Sequence, residues 1–393
     1  MAYSHDRLTH LSSLASEAMR RREYGQCIEL LEEASKLAPK NWNILINLAQ
    51  LLISRYEFEA AEKYFEKAIR VSKDEGSVCS LAAPSFFNAR QNEIAIKYLH
   101  RLLKLNPQSA EVLTFLATIH ERQGGMAQTA DFIDAALQLK PGYVPALLIK
   151  ARLLRKEGHP EAAEKVLRQI ASESQAEPDL RAQAWCELGK LLDSESQFDE
   201  AISAFLSAKE LLLPHAAKGL NDRRRTQAHT TMMINSVSAD SLTRWKADGL
   251  AITPVHRIAL LAGHPRSGTT LLEQVLDAHP DVRSLEESPI FFNEAYLPLI
   301  HRLPSENHFR ALDSVSVSQL SAPRSNYFKL VERFMGLDAS GSLLIDKNPS
   351  LTPFIPAFAK IFPESRFLVA LRDPRDVCMS CFMQYLPMGP VAS

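Results

Sequence analysis

Along the first half of the chain a small residue recurs at a fixed phase, with partners four and seven positions further on. The series runs Cys27/Leu31/Ala34, Ala61/Phe65/Ala68, Ala95/Leu99/Leu102, Thr129/Ile133/Ala136 and Ala163/Leu167/Ile170, each set 34 residues after the one before. A sixth set, Ala201/Phe205/Ala208, comes after 38. Twelve residues ahead of each set lies a second small site: Ala15, Ala49, Ala83, Ala117, Ala151 and Gly189. Spacings of four and seven put each set on one face of a helix. Each unit therefore predicts two helices, with small residues where they approach and large ones filling the gap. Pro39, Pro107 and Pro141 close their units at the same phase. One such unit cannot bury its own apolar face, so the units must stack.

This period and pattern resemble the tetratricopeptide repeat, a helix–turn–helix of 34 residues. The resemblance implies a right-handed superhelix of about six units with a concave face, which we assign to residues 8–213. Leu102 and Ile170 stand where a small residue is usual, yet the period holds through them. Concave solenoid faces hold peptides or partner proteins. A protein partner, or a substrate recruited by the array, is therefore expected; the alternative is a scaffold that only supports the C-terminal domain. Trp42, Trp185, Phe86 and Phe87 sit at core phases and read as packing.

The period is lost after Leu211. Residues 214–254 read as a helical linker, with a charged run at 221–225 on a solvated face and a short helix at 241–250 capped by Asp240 or Ser241. From 255 to 393 short apolar runs alternate with helical patterns. Strands are expected at 258–262, 281–285, 342–345 and 367–371. Helices are expected at 269–278, with Leu271, Leu272, Val275 and Leu276 as one apolar face, and at 351–361 and 377–385; 289–340 is largely helical. Apolar strands without alternation fit a parallel sheet buried on both faces. The fold class is thus an α-solenoid followed by an α/β domain.

The chemistry concentrates at the first of these strands. The run 258–262 turns through Gly263, His264, Pro265, Arg266, Ser267 and Gly268 and enters a helix at Thr269. A strand–loop–helix of this kind offers backbone N–H groups and a helix N-terminus to an anion. From Gly263 to Thr270 the spacing is that of the phosphate-binding loop G-x-x-x-x-G-K-[ST], except that Thr269 stands where the lysine belongs. A kinase or ATPase uses that lysine on the terminal phosphates, so the nucleotide-hydrolase reading is poor. Glu286 and Glu287 stand at the end of the second strand, where open α/β sheets bind ligands, so Arg266 and these carboxylates are expected to converge.

P-R-S-G-T-T after an apolar strand resembles the 5′-phosphosulfate loop of sulfotransferases that use 3′-phosphoadenosine 5′-phosphosulfate. The match continues through residues 276–283 to Glu286 and Glu287 and is closest to the tyrosylprotein sulfotransferases. The segment FLVALRDPRDVCMS, residues 367–380, resembles the element of the same family that grips the donor's 3′-phosphate. The resemblance implies that Ser267, Gly268, Thr269 and Thr270 hold the 5′-phosphosulfate. Arg266 and Lys347 neutralise the transferring group, Glu287 is the base, and Arg372 and Ser380 hold the 3′-phosphate. Gln384 and Pro289 stand where the tyrosylprotein enzymes carry arginines. Such a domain usually continues well beyond the length present here, so the α/β domain is expected to be incomplete at its C-terminus, and an inert domain on an interaction scaffold is the alternative function. These residues do not name the acceptor, though the repeats lean toward a protein or peptide over a metabolite, glycan or lipid.

Composition changes this picture little. The chain has 393 residues, is 46% hydrophobic and 23% charged, and carries a net charge of −1, which gives no case for nucleic acid. No apolar run has the length of a membrane span, and the N-terminus lacks a secretory core, so a cytoplasmic location is expected. Cys27, Cys79 and Cys186 fall at helical core phases; Cys378 and Cys381 have no second pair for zinc and read as packing. The twelve histidines form no H-x-x-x-H pair, and no metal site is expected.

Overall fold

The structure is a computed structural model that describes residues 2–249, 251–301, 308–336 and 341–386. It forms two compact units, Met1–Leu211 and Leu212–Ser393. No helix among the described residues is long and apolar enough to cross a membrane.

The first unit is helical throughout: α1 (Ala2–Arg20), α2 (Tyr24–Leu37), α3 (Trp42–Ser54), α4 (Phe58–Ser72), α5 (Glu75–Asn88), α6 (Asn92–Leu105), α7 (Ala110–Arg122), α8 (Met126–Leu139), α9 (Val144–Lys156), α10 (Pro160–Ser172), α11 (Pro178–Ser194) and α12 (Phe198–Leu212). The small sites Ala15, Ala49, Ala83, Ala117 and Ala151 are all buried at the helix contacts. At Gly189 a Cβ would come within 2.6 Å of the Phe205 ring, so only glycine lets α11 and α12 close. The period is also written in the backbone. Arg22, Tyr56, Arg90, Gly124, Gly158 and Ser196 each join the two helices of a unit in the left-handed region, at φ between 58° and 82°. Four of these six carry a Cβ, so the turn geometry overrides the residue's own preference. Phe65, Phe86 and Tyr98 pack ring to ring at 5.7 to 6.1 Å in the core. Phe86 is fully buried, while Trp42, Trp185 and Phe87 are half-buried.

Polar pairs bridge successive repeats. Arg152 donates from Nε and Nη2 to the two oxygens of Glu121, both at 2.8 Å. Burial pushes the Glu121 carboxyl up, and this fork outweighs it, so the group ends below its ordinary value. The thiols of Cys27, Cys79 and Cys186 are buried and pushed up by desolvation, Cys79 to about 11, as inert packing groups are.

The second unit begins with α13 (Ala216–Ser236) and α14 (Ala239–Gly249). The cap of α14 is neither Asp240 nor Ser241 but Ser238, whose Oγ accepts from the Ser241 amide at 3.1 Å. Then come β1 (Ile258–Gly263), α15 (Thr269–Asp277), β2 (Val282–Glu286), a π-helical turn over Phe291–Tyr296, α16 (Leu297–Ile300), α17 (His308–Asp313) and α18 (Val317–Met335). The chain continues through β3 (Leu343–Lys347), a 3-10 turn over Pro349–Phe354, α19 (Ile355–Ile361), β4 (Arg366–Ala370) and α20 (Pro374–Phe382). The four strands are parallel, in the order β2-β3-β1-β4. The connection from β1 crosses to the far side of β3, and that from β3 crosses to the far side of β1. The carboxyl ends of these two central strands are therefore a topological switch point, where such sheets take ligands.

Three expectations are corrected here. The third strand runs on through Asp346 and Lys347, because both stay in register with Leu260 and Leu261 of β1. The apolar residues of α15 divide: Leu272 and Leu276 pack on Ala259, Leu261 and Ile345, while Leu271 and Val275 are exposed. The strand β4 is not buried on both faces; among the described residues it is a sheet edge, with Phe367 and Leu368 each 37% exposed and Val369 48%. The opposite face of the sheet carries an aromatic core in which Phe291, Phe358 and Phe362 stack around Tyr327.

Candidate active site

The loop after β1 is set by three backbone positions of unusual hand: Gly263 at φ 147°, Arg266 at φ 71° and Gly268 at φ 94°. At Gly263 a Cβ would lie 2.7 Å from the Ala370 carbonyl oxygen and 2.9 Å from Ser267 Oγ, so a side chain would fill the cradle. Thr352 holds the same glycine from both sides. Its Oγ1 accepts from the Gly263 amide at 3.0 Å and donates to the Gly263 carbonyl at 2.7 Å. The loop closes on itself through the Ser267 amide and the His264 carbonyl at 3.1 Å. Beyond Gly268 the first amides of α15 have no helical acceptor. Alternating backbone hand followed by a helix start is the geometry that gathers N–H groups around an anion. Ser267 is buried in this loop, and its hydroxyl has no hydrogen-bond partner among the described residues. A buried orphan hydroxyl beside such amides fits a phosphate or sulfate oxygen.

Two clusters flank the loop. In the first, Arg266 Nε donates to Ser380 Oγ at 3.0 Å. Arg372 Nη1 donates to the Arg266 carbonyl at 3.3 Å, and Arg372 Nε lies 3.5 Å from Asp376. Here β4 runs beside β1, so Arg372, two residues past the end of β4, and Ser380 on α20 reach the β1 loop. Asp373 caps α20 by accepting from the Arg375 amide at 2.8 Å. The helix starts earlier than its sequence pattern implies and leaves Cys378 exposed rather than packed.

In the second cluster Lys347, the last residue of β3, turns a nearly buried ammonium between two carboxylates. Nζ lies 3.0 Å from Glu287 Oε1 and 3.1 Å from Glu273 Oε2. The two acids differ in setting: the Glu287 side chain is 55% exposed and that of Glu273 only 6%. The second oxygen of Glu273 accepts from Ser284 Oγ at 2.5 Å. Asn348 Nδ2 donates to the Ser288 carbonyl at 3.0 Å and so ties the ends of β2 and β3 together. Arg266 and Glu287, expected to converge, instead find separate partners in Ser380 and Lys347. Glu273 was missed by sequence reasoning. Its signal is weak: a glutamate one turn beyond Thr269, flanked by the two leucines that face the sheet.

On the other face of β3, behind Lys347, Asp346 is fully buried. Its Oδ2 accepts from the Tyr327 hydroxyl at 2.8 Å. Burial pushes this carboxyl up to about 7, against the smaller pull of the tyrosine hydrogen bond. Beside the loop opens a cleft of about 540 Å³, lined by Arg225 and His229 of α13, by Pro265, and by Thr352 and Phe354. Around the ends of β1, β3 and β4 the arrangement gathers the cationic side chains of Arg266, Lys347 and Arg372, a helix N-terminus, and the exposed carboxylate of Glu287 on Lys347.

Comparison with known proteins agrees with this architecture. Residues 259–389 match the model of the sulfotransferase family. Residues 18–83, 81–144 and 150–212 match tetratricopeptide-repeat models. The chain thus carries tetratricopeptide repeats followed by a sulfotransferase-family domain. Mouse protein-tyrosine sulfotransferase 1 is 30% identical over 118 residues, which are 30% of this chain and 32% of that protein. The nodulation protein NoeE of Sinorhizobium fredii is 30% identical over 142 residues, 33% of this chain and 32% of that protein. The chain spans about a third of the length of these curated relatives. Among solved structures, that of Pseudomonas aeruginosa pilF is similar at 19% identity and a TM-score of 0.37, covering 53% of this chain and 93% of that one.

Proposed function

We propose that the second unit transfers a sulfuryl group from 3′-phosphoadenosine 5′-phosphosulfate to a hydroxyl or amine acceptor. The observation that carries this reading is the meeting of Arg266, Arg372 and Ser380 beside a loop whose Ser267 hydroxyl is buried without a partner among the described residues. The Ser267 hydroxyl and the amides of Gly268, Thr269 and Thr270 receive the 5′-phosphosulfate, the Ser267 amide being held by the His264 carbonyl. Arg372 and Ser380 take the 3′-phosphate, where a planar multi-donor fork and a hydroxyl suit its oxygens. Arg266 and Lys347 offset the charge that gathers on the bridging oxygen as the sulfur–oxygen bond to the phosphate breaks. The acceptor oxygen or nitrogen forms the new bond to sulfur, and Glu287 takes its proton. The products are the sulfated acceptor and 3′-phosphoadenosine 5′-phosphate. Little covalent work falls to the protein, so positioning and charge carry the rate, as in phosphoryl transfer.

For the acceptor we propose a protein or peptide. Two things support it: the repeat array, since stacked helical repeats offer extended binding faces, and the similarity to relatives named protein-tyrosine sulfotransferase. NoeE is named for nodulation, and that name points to no protein acceptor, so a non-protein acceptor is what acceptor screening must be able to find.

The test is calorimetric titration with 3′-phosphoadenosine 5′-phosphate, with ATP as control. Binding that falls at least about tenfold in Arg372→Ala, the loss of one charge-assisted contact, supports the donor site. Glu287→Gln should keep that binding and lose turnover. A folded chain that binds no bisphosphate leaves the domain an inert partner of the repeats.

A further inference from the structure

We infer that Glu273 is a positioning residue for the transfer reaction: fixed by Ser284, it anchors the Lys347 ammonium beside the loop, so that Glu287 is free to exchange between Lys347 and the acceptor. The inference rests on the proposed sulfuryl transfer for what Lys347 and Glu287 do. Its geometry stands on its own.

A loop of this kind ordinarily carries its cation on the first residue of the following helix. Here that residue is Thr269, which is buried. The cation arrives from the neighbouring strand instead, since Lys347 ends β3, directly beside β1. A lysine is a point charge on a flexible four-carbon stem and does not hold one place unaided. The acid that holds it stands on α15, one turn past Thr269, on the same helix whose N-terminus faces the loop. Anchor and cradle therefore share one short rigid element, the arrangement that keeps a reactive geometry within tolerance.

The two carboxylates on Lys347 are not equivalent. Both oxygens of Glu273 are engaged, one by Ser284 Oγ and one by Lys347 Nζ, and its side chain is out of solvent. Removing one partner of such a buried pair strands the other. Glu287 reaches the ammonium from the solvent side, and contacts of that kind are weak. When Glu287 turns to accept the acceptor's proton, Lys347 keeps Glu273 and is not left as a lone buried charge. With Glu273 absent, Lys347 would hold Glu287 as its sole carboxylate, and the base would be withheld from the acceptor.

Competitive acetylation of Lys347 at fixed pH, read by mass spectrometry, tests the anchor. Glu273→Gln should raise Lys347 labelling about fivefold or more and Glu287→Gln less than about twofold, because buried pairs hold more tightly than exposed ones. The reverse order, or equal effects, overturns the inference. If Glu273→Gln does not fold, Ser284→Ala removes the second support and should raise labelling by about twofold; an unchanged value counts against the anchor. The second readout is kinetic. Glu273→Gln should lower kcat about tenfold or more while the affinity for 3′-phosphoadenosine 5′-phosphate stays within about threefold, a split that general loosening of the fold does not give. A kcat within about twofold of wild type overturns the positioning role. If the wild-type chain binds no bisphosphate, the proposed function falls, and the order of labelling still upholds or sinks the anchor.

Discussion

Arg266 and Ser380 stand 114 residues apart in the chain and meet through a hydrogen bond of 3.0 Å from Nε to Oγ. Each belongs to a different element, the loop after β1 and the helix α20. In the proposed complex each is also assigned to a different end of the donor. The bond therefore joins the two phosphate sites, and the donor must compete with it or build on it. Alanine at either position should weaken binding of 3′-phosphoadenosine 5′-phosphate. The double variant should lose less than the sum, with a coupling of about 0.5–3 kcal/mol, the range for residues in contact. Calorimetry on the four proteins gives the value, and strict additivity would show that the two sites do not communicate.

A second prediction concerns pH. Asp346 is buried with its carboxyl raised to about 7, from an ordinary value of 3.8. The folded state therefore holds a proton that the unfolded state has released between these values. The stability this group contributes is complete below about pH 4 and is lost as pH rises toward 7, at most about 1.4 kcal/mol per unit. Asp346→Asn keeps an acceptor for Tyr327 and cannot ionise. It should flatten that decline and protect β3 above pH 7 relative to wild type. Hydrogen exchange of peptides covering β3 is the suitable measure, since two units need not unfold as one. Parallel pH curves for the two proteins would sink the assignment.

The exposed edge at β4 yields a third. Phe367, Leu368 and Val369 are all more than a third exposed on a strand that, among the described residues, pairs with β1 along one side, and Leu371 just past its end is exposed too. Apolar edge strands template pairing with other chains. The chain should self-associate with rising concentration, and Val369→Lys should reduce this, as an edge charge does in natural sheets. Sedimentation velocity over a concentration series decides it; a mass that is the same at every concentration in wild type counts against the edge as a contact.

The repeat array was legible because its signal is redundant. Six sets of residues repeat one phase, so a Leu102 or an Ile170 at a small site does not hide the period. The left-handed turns at Arg22, Tyr56, Arg90 and Ser196 were not legible, because no side chain there advertises the conformation. In the second unit the turn between β1 and α15 could be read from its glycine spacing, while Lys347, Arg372 and Ser380 were reached only through the family resemblance. Two things could not. The sequence of β4 is as apolar as that of β1, and nothing local distinguishes an edge strand from a central one. Glu273 reads as a polar residue on a helix whose apolar neighbours should be inside. The fold inverts this, burying the acid beside Lys347 and exposing Leu271 and Val275, because a charge partner delivered from another strand outweighs the helix's own pattern.

The hydroxyl of Thr352 uses up both polar backbone groups of Gly263, and Thr352 itself lines the cleft beside the loop. The last residue of β1 is thereby clamped to the segment after β3, with no slack between them. Anything that settles in the cleft against Thr352 thus touches a residue bonded directly to the backbone from which the loop departs.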